Sequence, residues 1–351
     1  MNKLNDQPLR VLSFGAGAIG TYIGGSLALS GNHVVFIERP QTAAQISSLS
    51  LTIDGKTRSY ENPLVVDSLE KALDHGPFDV ALFALKSFDT QAAVNGLKPF
   101  KVRLPPVLCL QNGVENEAAI AAVLGNDQVI PGTITSAVGK PGLGQIVLER
   151  FRGVGISADH PLSHRLFAAF AQAGLGPVLI SPAEGMKWSK MLTNLIANAS
   201  SAILDLPPGE IFSHPGLFRL EIEQIKEALR VMKSLGIPVV DLPGTPVRTF
   251  TFAARALPLW LSRPLLNKAI GSGRGEKMPS FHIDLHSGRK HSEVDYLNGA
   301  VSRFGRQQGV PTPVNDFLTR TLLDLVSGEL PIDYYQKSPE TLIKDFAAGA
   351  S

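Results

Sequence analysis

Short apolar runs alternate with stretches of helical periodicity from Arg10 to about Ile180. Arg10–Phe14 reads as a first strand, Ala18–Ser30 as a helix stopped by Gly31, and His33–Ile37 as a second strand. Phe78–Leu85 and Val107–Leu110 are a third and a fourth apolar run. Strand, helix and strand in repetition predict parallel pairing in a doubly wound α/β sheet. Right-handed crossovers then put helices on both faces.

From Pro182 onward the period changes. Glu184–Leu204, Leu217–Leu235, Ser292–Gln308 and Val314–Ser327 carry apolar residues at helical spacing, and the second of these stops at Gly236 before Pro238. Strand-like runs are scarce here. The chain therefore reads as two domains, residues 1–181 and a mainly α-helical 182–351, with the boundary at Ser181-Pro182. Pro243–Lys277 holds several prolines, an apolar run around Trp260 and the glycine-rich Gly271-Ser-Gly-Arg-Gly. Its apolar content exceeds that of a solvated loop, so it reads as a packed or partner-facing segment.

Length and composition agree. A chain of 351 residues with 44% hydrophobic and 18% charged residues suits two globular cores. The net charge is +2 and no basic block stands out, which argues against a nucleic-acid partner. The single cysteine, Cys109, lies in an apolar run and reads as a core residue. Met1–Arg10 is polar, and no apolar stretch is long enough to span a bilayer, so a cytoplasmic protein without membrane contact is expected.

The first strand leads into Gly15-Ala16-Gly17-Ala18-Ile19-Gly20, a G-x-G-x-x-G pattern opening a helix. In that context the glycines have separate tasks. Gly15 permits the tight turn, Gly17 lets a pyrophosphate approach the backbone, and Gly20 lets the helix pack closely. The helix N-terminus adds free N–H groups and the positive end of its dipole. The expected fold is an N-terminal Rossmann sheet followed by a helical domain. At the end of the second strand stand Glu38 and Arg39. An acid there suits the ribose 2′-OH of NAD and an arginine the 2′-phosphate of NADP, so this pair alone leaves the cofactor open. Lys86 and Gln111-Asn112-Gly113 follow the next two strands at the carboxyl edge, where open α/β sheets bind ligands.

In the helical half, Lys190, Asn194 and Asn198 recur at i, i+4 and i+8, which predicts one helix face carrying an ammonium and two amides. Ketone reduction needs hydride at carbon and a proton at oxygen, and a partly buried lysine supplies charge and proton together. Lys190 is the candidate and Lys187 the rival on another part of the helix. Ser280 is a candidate donor to a carboxylate. For Glu293 local chemistry leaves the role open, whereas Asp295 and Asn298 read as structural. His282 and His286 flank Asp284, but no fuller ligand set accompanies them, so ordinary hydrogen-bonded histidines and no metal are expected.

These motifs resemble the ketopantoate reductase family from Arg10 to about Ser327. The resemblance rests on the glycine loop, Lys86, Gln111-Asn112-Gly113, the Lys190/Asn194/Asn198 set and Ser292-Glu293-Val-Asp-Tyr-Leu-Asn298-Gly299. It implies NADPH-dependent reduction of 2-dehydropantoate to pantoate. Lys190 then matches the general acid, with Asn194, Asn198, Ser280 and Asn112 as substrate contacts. Glu293 falls beside cofactor and active site. Lys86, Asn112 and Val138 match cofactor contacts, and Arg39 matches the arginine that favours NADP(H). The family resemblance implies a small 2-oxoacid as the ligand; a homodimer through the helical half is also expected. Pro208-Gly209 stands where some members carry asparagine before glycine, Pro243–Lys277 is longer than in compact members, and one residue is added between Arg289 and Glu293. These departures leave room for a bulkier or more apolar 2-oxo or 3-oxo acid, and a non-catalytic NADP-binding regulator is the reading from outside enzymology.

Overall fold

A computed structural model describes residues 7–258, 263 and 277–349. They divide into two compact units, Met1–Lys187 with Leu242–Thr245, and Trp188–Asp241 with Pro246–Ser351. The division thus falls inside a helix, a few residues past Ser181-Pro182, and one short segment of the later chain belongs to the first unit.

Among the described residues, the first unit contains two sheets. Its strands are β1 (Arg10–Phe14), β2 (His33–Ile37), β3 (Ser48–Ile53), β4 (Lys56–Glu61), β5 (Leu64–Val66), β6 (Val80–Phe83), β7 (Val107–Cys109), β8 (Val129–Ile134), β9 (Ala137–Gly142), β10 (Gln145–Arg150), β11 (Val154–Ser157) and β12 (Pro177–Ile180). The larger sheet runs β12-β11-β8-β7-β6-β1-β2-β5. It is parallel except where β11 pairs antiparallel with β8. The helices are α1 (Ala18–Leu29), α2 (Pro40–Ala43), α3 (Leu69–Leu73), α4 (Thr90–Leu97), α5 (Asn116–Leu124) and α6 (Ser163–Gln172).

The central strands are mostly apolar because both faces are covered. Val11, Val80, Leu82 and Leu108 join one core with Tyr22, Ile23 and Leu27 of α1 and Phe170 of α6. Leu12, Ala81, Phe83, Val107 and Cys109 point the other way, against Val94 and Leu97 of α4 and Ile120 and Leu124 of α5. Each such buried aliphatic or aromatic side chain contributes roughly 1.5–3 kcal/mol.

The second sheet, β4-β3-β10-β9, was not anticipated. Its β3–β4 hairpin turns on Asp54-Gly55, both at positive φ (+49° and +72°), the conformation an Asp-Gly pair favours. α1 packs closely against β3, and a Cβ on Gly25 would stand 2.9 Å from Leu51 Cδ1.

The second unit is helical among its described residues. α7 (Ala183–Leu195) enters it from the first, followed by α8 (Asn198–Leu204), α9 (Pro208–Ser213), α10 (Pro215–Ser234), α11 (Val247–Ala256), α12 (Ser280–His286), α13 (Asn298–Gln308), α14 (Pro313–Ser327) and α15 (Pro339–Gly349). Within the expected Pro243–Lys277 excursion, α11 is ordered helix; residues 259–262 and 264–276 lie outside the described residues.

Two of the expected helices are each broken in two. Glu184–Leu204 is not a single helix, because α7 ends at Leu195 and Ala197 adopts φ +50° before α8 begins. A buried side chain on α10 holds the break. The buried Glu221 carboxylate accepts the Ala197 N–H at 2.7 Å and the Ser200 hydroxyl at 2.5 Å. Gln224, one turn along α10, donates to the Leu195 carbonyl at 3.3 Å. The loose backbone groups at the break are thus satisfied by α10. Ser292–Gln308 is likewise two pieces, a 3-10 turn over Glu293–Tyr296 and then α13.

Candidate active site

In the first unit the glycine loop fits a dinucleotide. Gly15 has φ +93°, which only glycine adopts without cost, and its N–H bonds the Ile37 carbonyl at 3.0 Å. A Cβ on Gly17 would meet nothing within 4 Å, so open space stands over the loop there. A Cβ on Gly20 would stand 2.0 Å from the Gly15 carbonyl oxygen, so the turn closes only with glycine. α1 begins with Gly17 as its N-cap and no side-chain cap, leaving its first N–H groups for an anion. Ala16 is buried, and Ala18 and Ile19 form the first turn of α1.

Glu38 is turned onto this loop. Its Oε1 accepts the Ala16 N–H at 2.6 Å and its Oε2 the Arg39 N–H at 3.3 Å. Arg39 itself is exposed at the start of α2.

The loops after β6 and β7 are tied together by Gln111 and by Ser87, Thr90 and Asn116, the last three of which the sequence reading did not single out. Gln111 donates to the Leu85 carbonyl at 3.0 Å and to Thr90 Oγ1 at 2.8 Å. The Asn112 carbonyl accepts from Ser87 Oγ at 2.9 Å and from Asn116 Nδ2 at 2.6 Å. Lys86 and Asn112, both half-buried, are therefore held on neighbouring loops at the sheet's carboxyl edge. Val138 lies on β9, partly buried against the core that includes Tyr22 of α1.

Lys187 does different work from that of a proton donor. Its Nζ stands 2.7 Å from Glu117 Oε1 and donates to the carbonyls of Gln111 at 2.6 Å and Gly132 at 3.1 Å. Burial opposes its charge, but Glu117 and the other neighbouring groups outweigh burial and raise its pKa. The ammonium staples the Gln111 strand end to β8. Only the sequence separation of Glu117, Gln111 and Lys187 hid this arrangement.

In the second unit, Lys190 and Asn194 are half-buried on one face of α7, one turn apart. Asn198 has left that helix and opens α8. It is nonetheless fixed: Nδ2 lies 3.4 Å from Ser280 Oγ, and Oδ1 accepts the Phe281 N–H at 3.1 Å. So Asn198 and Ser280, eighty-odd residues apart, are brought together at the N-terminal ends of α8 and α12. Glu293 is buried at the start of the 3-10 turn, after Ser292, whose Oγ accepts the Val294 N–H at 3.2 Å. Asp295 bonds Arg303 at 2.7 Å, and Asn298 bonds Gln224 and Asn315, each at 3.0 Å, in keeping with their structural reading. Pro208 is buried and opens α9, so no side-chain amide is offered at that position.

Comparison with known proteins follows the same division. The family model described as ketopantoate reductase PanE/ApbA matches residues 11–158, and its C-terminal counterpart matches residues 183–325. This chain belongs to the ketopantoate reductase family. The 2-dehydropantoate 2-reductase of Pyrococcus horikoshii is 29% identical over 316 residues, covering 88% of this chain and 95% of that protein. That of Halobacterium salinarum is 27% identical over 330 residues, covering 91% and 98%. A PanE/ApbA family ketopantoate reductase from Ralstonia eutropha JMP134 superimposes with a TM-score of 0.76 at 28% identity, covering 92% of this chain and 99% of that one. D-mandelate dehydrogenase in complex with NADH and anilino(oxo)acetate shares the fold, with a TM-score of 0.72 at 23% identity over 91% of this chain and 99% of that one. Ketopantoate reductases are oxidoreductases. No helix among the described residues is long and apolar enough to cross a membrane.

Proposed function

We propose that this chain reduces 2-dehydropantoate to pantoate with NADPH. The family match across both halves carries the reading, with the Lys190/Asn194 face and the fixed Asn198–Ser280 pair supporting it. The nicotinamide, when bound, supplies the hydride to the C2 ketone. The protein's own residues do the rest. The N-terminus of α1 and the open backbone at Gly17 take the pyrophosphate, with Lys86, Asn112 and Val138 as further cofactor contacts. Lys190 neutralises charge growing on the carbonyl oxygen and gives it a proton. Asn194 and Asn198 orient the substrate, Ser280 donates to its carboxylate, and Glu293 stands beside cofactor and substrate. Because Oε1 and Oε2 of Glu38 accept backbone N–H groups, the exposed Arg39 is the group offered to a 2′-phosphate.

The test is oxidation of NADPH in the presence of ketopantoate, repeated with Lys190→Ala. Loss of about 10²–10⁴-fold in kcat is expected, the range for removing a general acid. Full activity in the variant overturns the role of Lys190. A second acid as preferred substrate is favoured by the buried Pro208, and a panel of 2-oxo and 3-oxo acids compared by kcat/KM decides between them.

A further inference from the structure

α8 and α12 lie side by side and run the same way. Their N-terminal ends meet through Asn198 and Ser280. Three other side chains converge farther along, Asp205 at the C-cap of α8 with His282 and His286 of α12. His282 and His286 are one turn apart on α12, and their rings face each other with centroids 4.1 Å apart. Asp205 Oδ1 lies 2.7 Å from His282 Nε2 and 4.0 Å from His286 Nε2. All three donor atoms fall within 4.8 Å of one another. Ligands at about 2.0–2.1 Å from a tetrahedral zinc ion stand about 3.3 Å apart, so these separations bracket the required edge.

We infer that Asp205, His282 and His286 form a binding site for one divalent transition-metal ion of the zinc type. Two imidazoles and a carboxylate are the donor set such ions prefer, while calcium and magnesium seek oxygen alone. Asp284, between the histidines in sequence, is not a ligand, because Arg289 holds its Oδ1 at 2.7 Å. The outer partner is present too. Gln336 donates to the second oxygen, Asp205 Oδ2, at 2.8 Å and fixes the carboxylate. Asp205 sits at φ +51° as the C-cap of α8, which turns its side chain out of the helix line. An open cavity of about 710 Å³, walled by Asp205, Leu206, Glu210, Met278 and Lys337 among others, adjoins the cluster on the side of the carboxylate. The sequence alone could not disclose the site, since the histidine pair lacks its third ligand until the fold delivers Asp205.

An ion here ties the C-cap of α8 to α12, the two helices whose first residues, Asn198 and Ser280, pair with each other. It stabilises that pair without touching substrate or cofactor. The inference does not depend on the proposed reaction, and its test measures binding, not turnover.

The experiment uses the untagged full chain, stripped with chelator and titrated with Co²⁺ and, separately, Zn²⁺. One equivalent of Co²⁺ should bind with the visible absorption of a four- or five-coordinate ion, Zn²⁺ should displace it, and Zn²⁺ should raise the melting temperature. His286→Ala, at the more exposed of the two rings, should abolish the absorption, as should Asp205→Asn. Gln336→Leu should weaken binding about 10–100-fold while keeping the spectrum. Circular dichroism of each variant establishes that it is folded, and the wild-type titration stands by itself if one is not. Absence of saturable one-equivalent binding by the wild type, or equal binding by folded His286→Ala, overturns the proposal.

Discussion

The Lys187 ammonium stands 2.7 Å from the Glu117 carboxylate, and both are largely buried in the first unit. The pair ties the first half of α7 to α5 and, through the Gln111 and Gly132 carbonyls, to the end of β7 and to β8. Removing one member of such a pair leaves an uncompensated charge away from water. Lys187→Met should therefore destabilise the protein by about 3–5 kcal/mol in chemical denaturation. Adding Glu117→Leu should restore part of that loss, because the orphan charge is then gone. A double variant no more stable than the single one would contradict this account.

Arg39 is exposed beside a glutamate whose oxygens accept the N–H groups of Ala16 and Arg39. If Arg39 binds the 2′-phosphate, Arg39→Ala should lower kcat/KM for NADPH by roughly tenfold to a hundredfold, the worth of charge-assisted hydrogen bonds. The value for NADH should change by no more than about twofold. An equal drop with both cofactors would remove Arg39 from phosphate recognition.

Much of this fold is written locally. β1 and β2 coincide with their apolar runs, and the glycine loop follows from three glycines in the context of a strand and a helix. What stayed hidden is non-local. β3, β4, β9 and β10 are short and partly exposed, so their periodicity is weak, although Asp54-Gly55 was a usable hairpin signal. The i, i+4, i+8 spacing correctly grouped Lys190 and Asn194 but carried Asn198 along a helix that had already ended. Nothing near Ala197 announces that end, since the groups that stabilise it, Glu221 and Gln224, are on another helix. The acids and amides spaced at i, i+3 and i+6 on α10, ending at Glu227, were the available clue: buried polar residues on a core face need partners elsewhere.

That dependence makes the break testable. Glu221→Ala should leave the Ala197 N–H and Ser200 hydroxyl buried without this partner and cost about 1–3 kcal/mol for each group that finds no water. If Asn198 binds substrate, its displaced helix start should also raise KM for the oxoacid, with the KM for nicotinamide cofactor nearly unchanged. Unaltered stability and KM would show that α8 begins at Asn198 without help from α10.

Glu227 supplies a pH signature. It is fully buried on α10 and caps α14, accepting the N–H groups of Val314 and Asn315 at 2.9 Å each and Asn315 Nδ2 at 2.7 Å. Burial outweighs these bonds and pushes its carboxyl up to about 7 from the ordinary 4.5. A carboxyl with a raised folded-state pKa binds its proton more tightly folded than unfolded. Its contribution is thus complete below about 4.5 and is lost as pH rises through about 7, by up to about 3 kcal/mol. Glu227→Gln mimics the protonated form and removes this dependence. Between pH 5 and 8 the melting temperature of the wild type should therefore fall relative to that of the variant. A gap that stays constant, or that moves the other way, would mean that the three N–H donors hold the carboxylate ionised throughout.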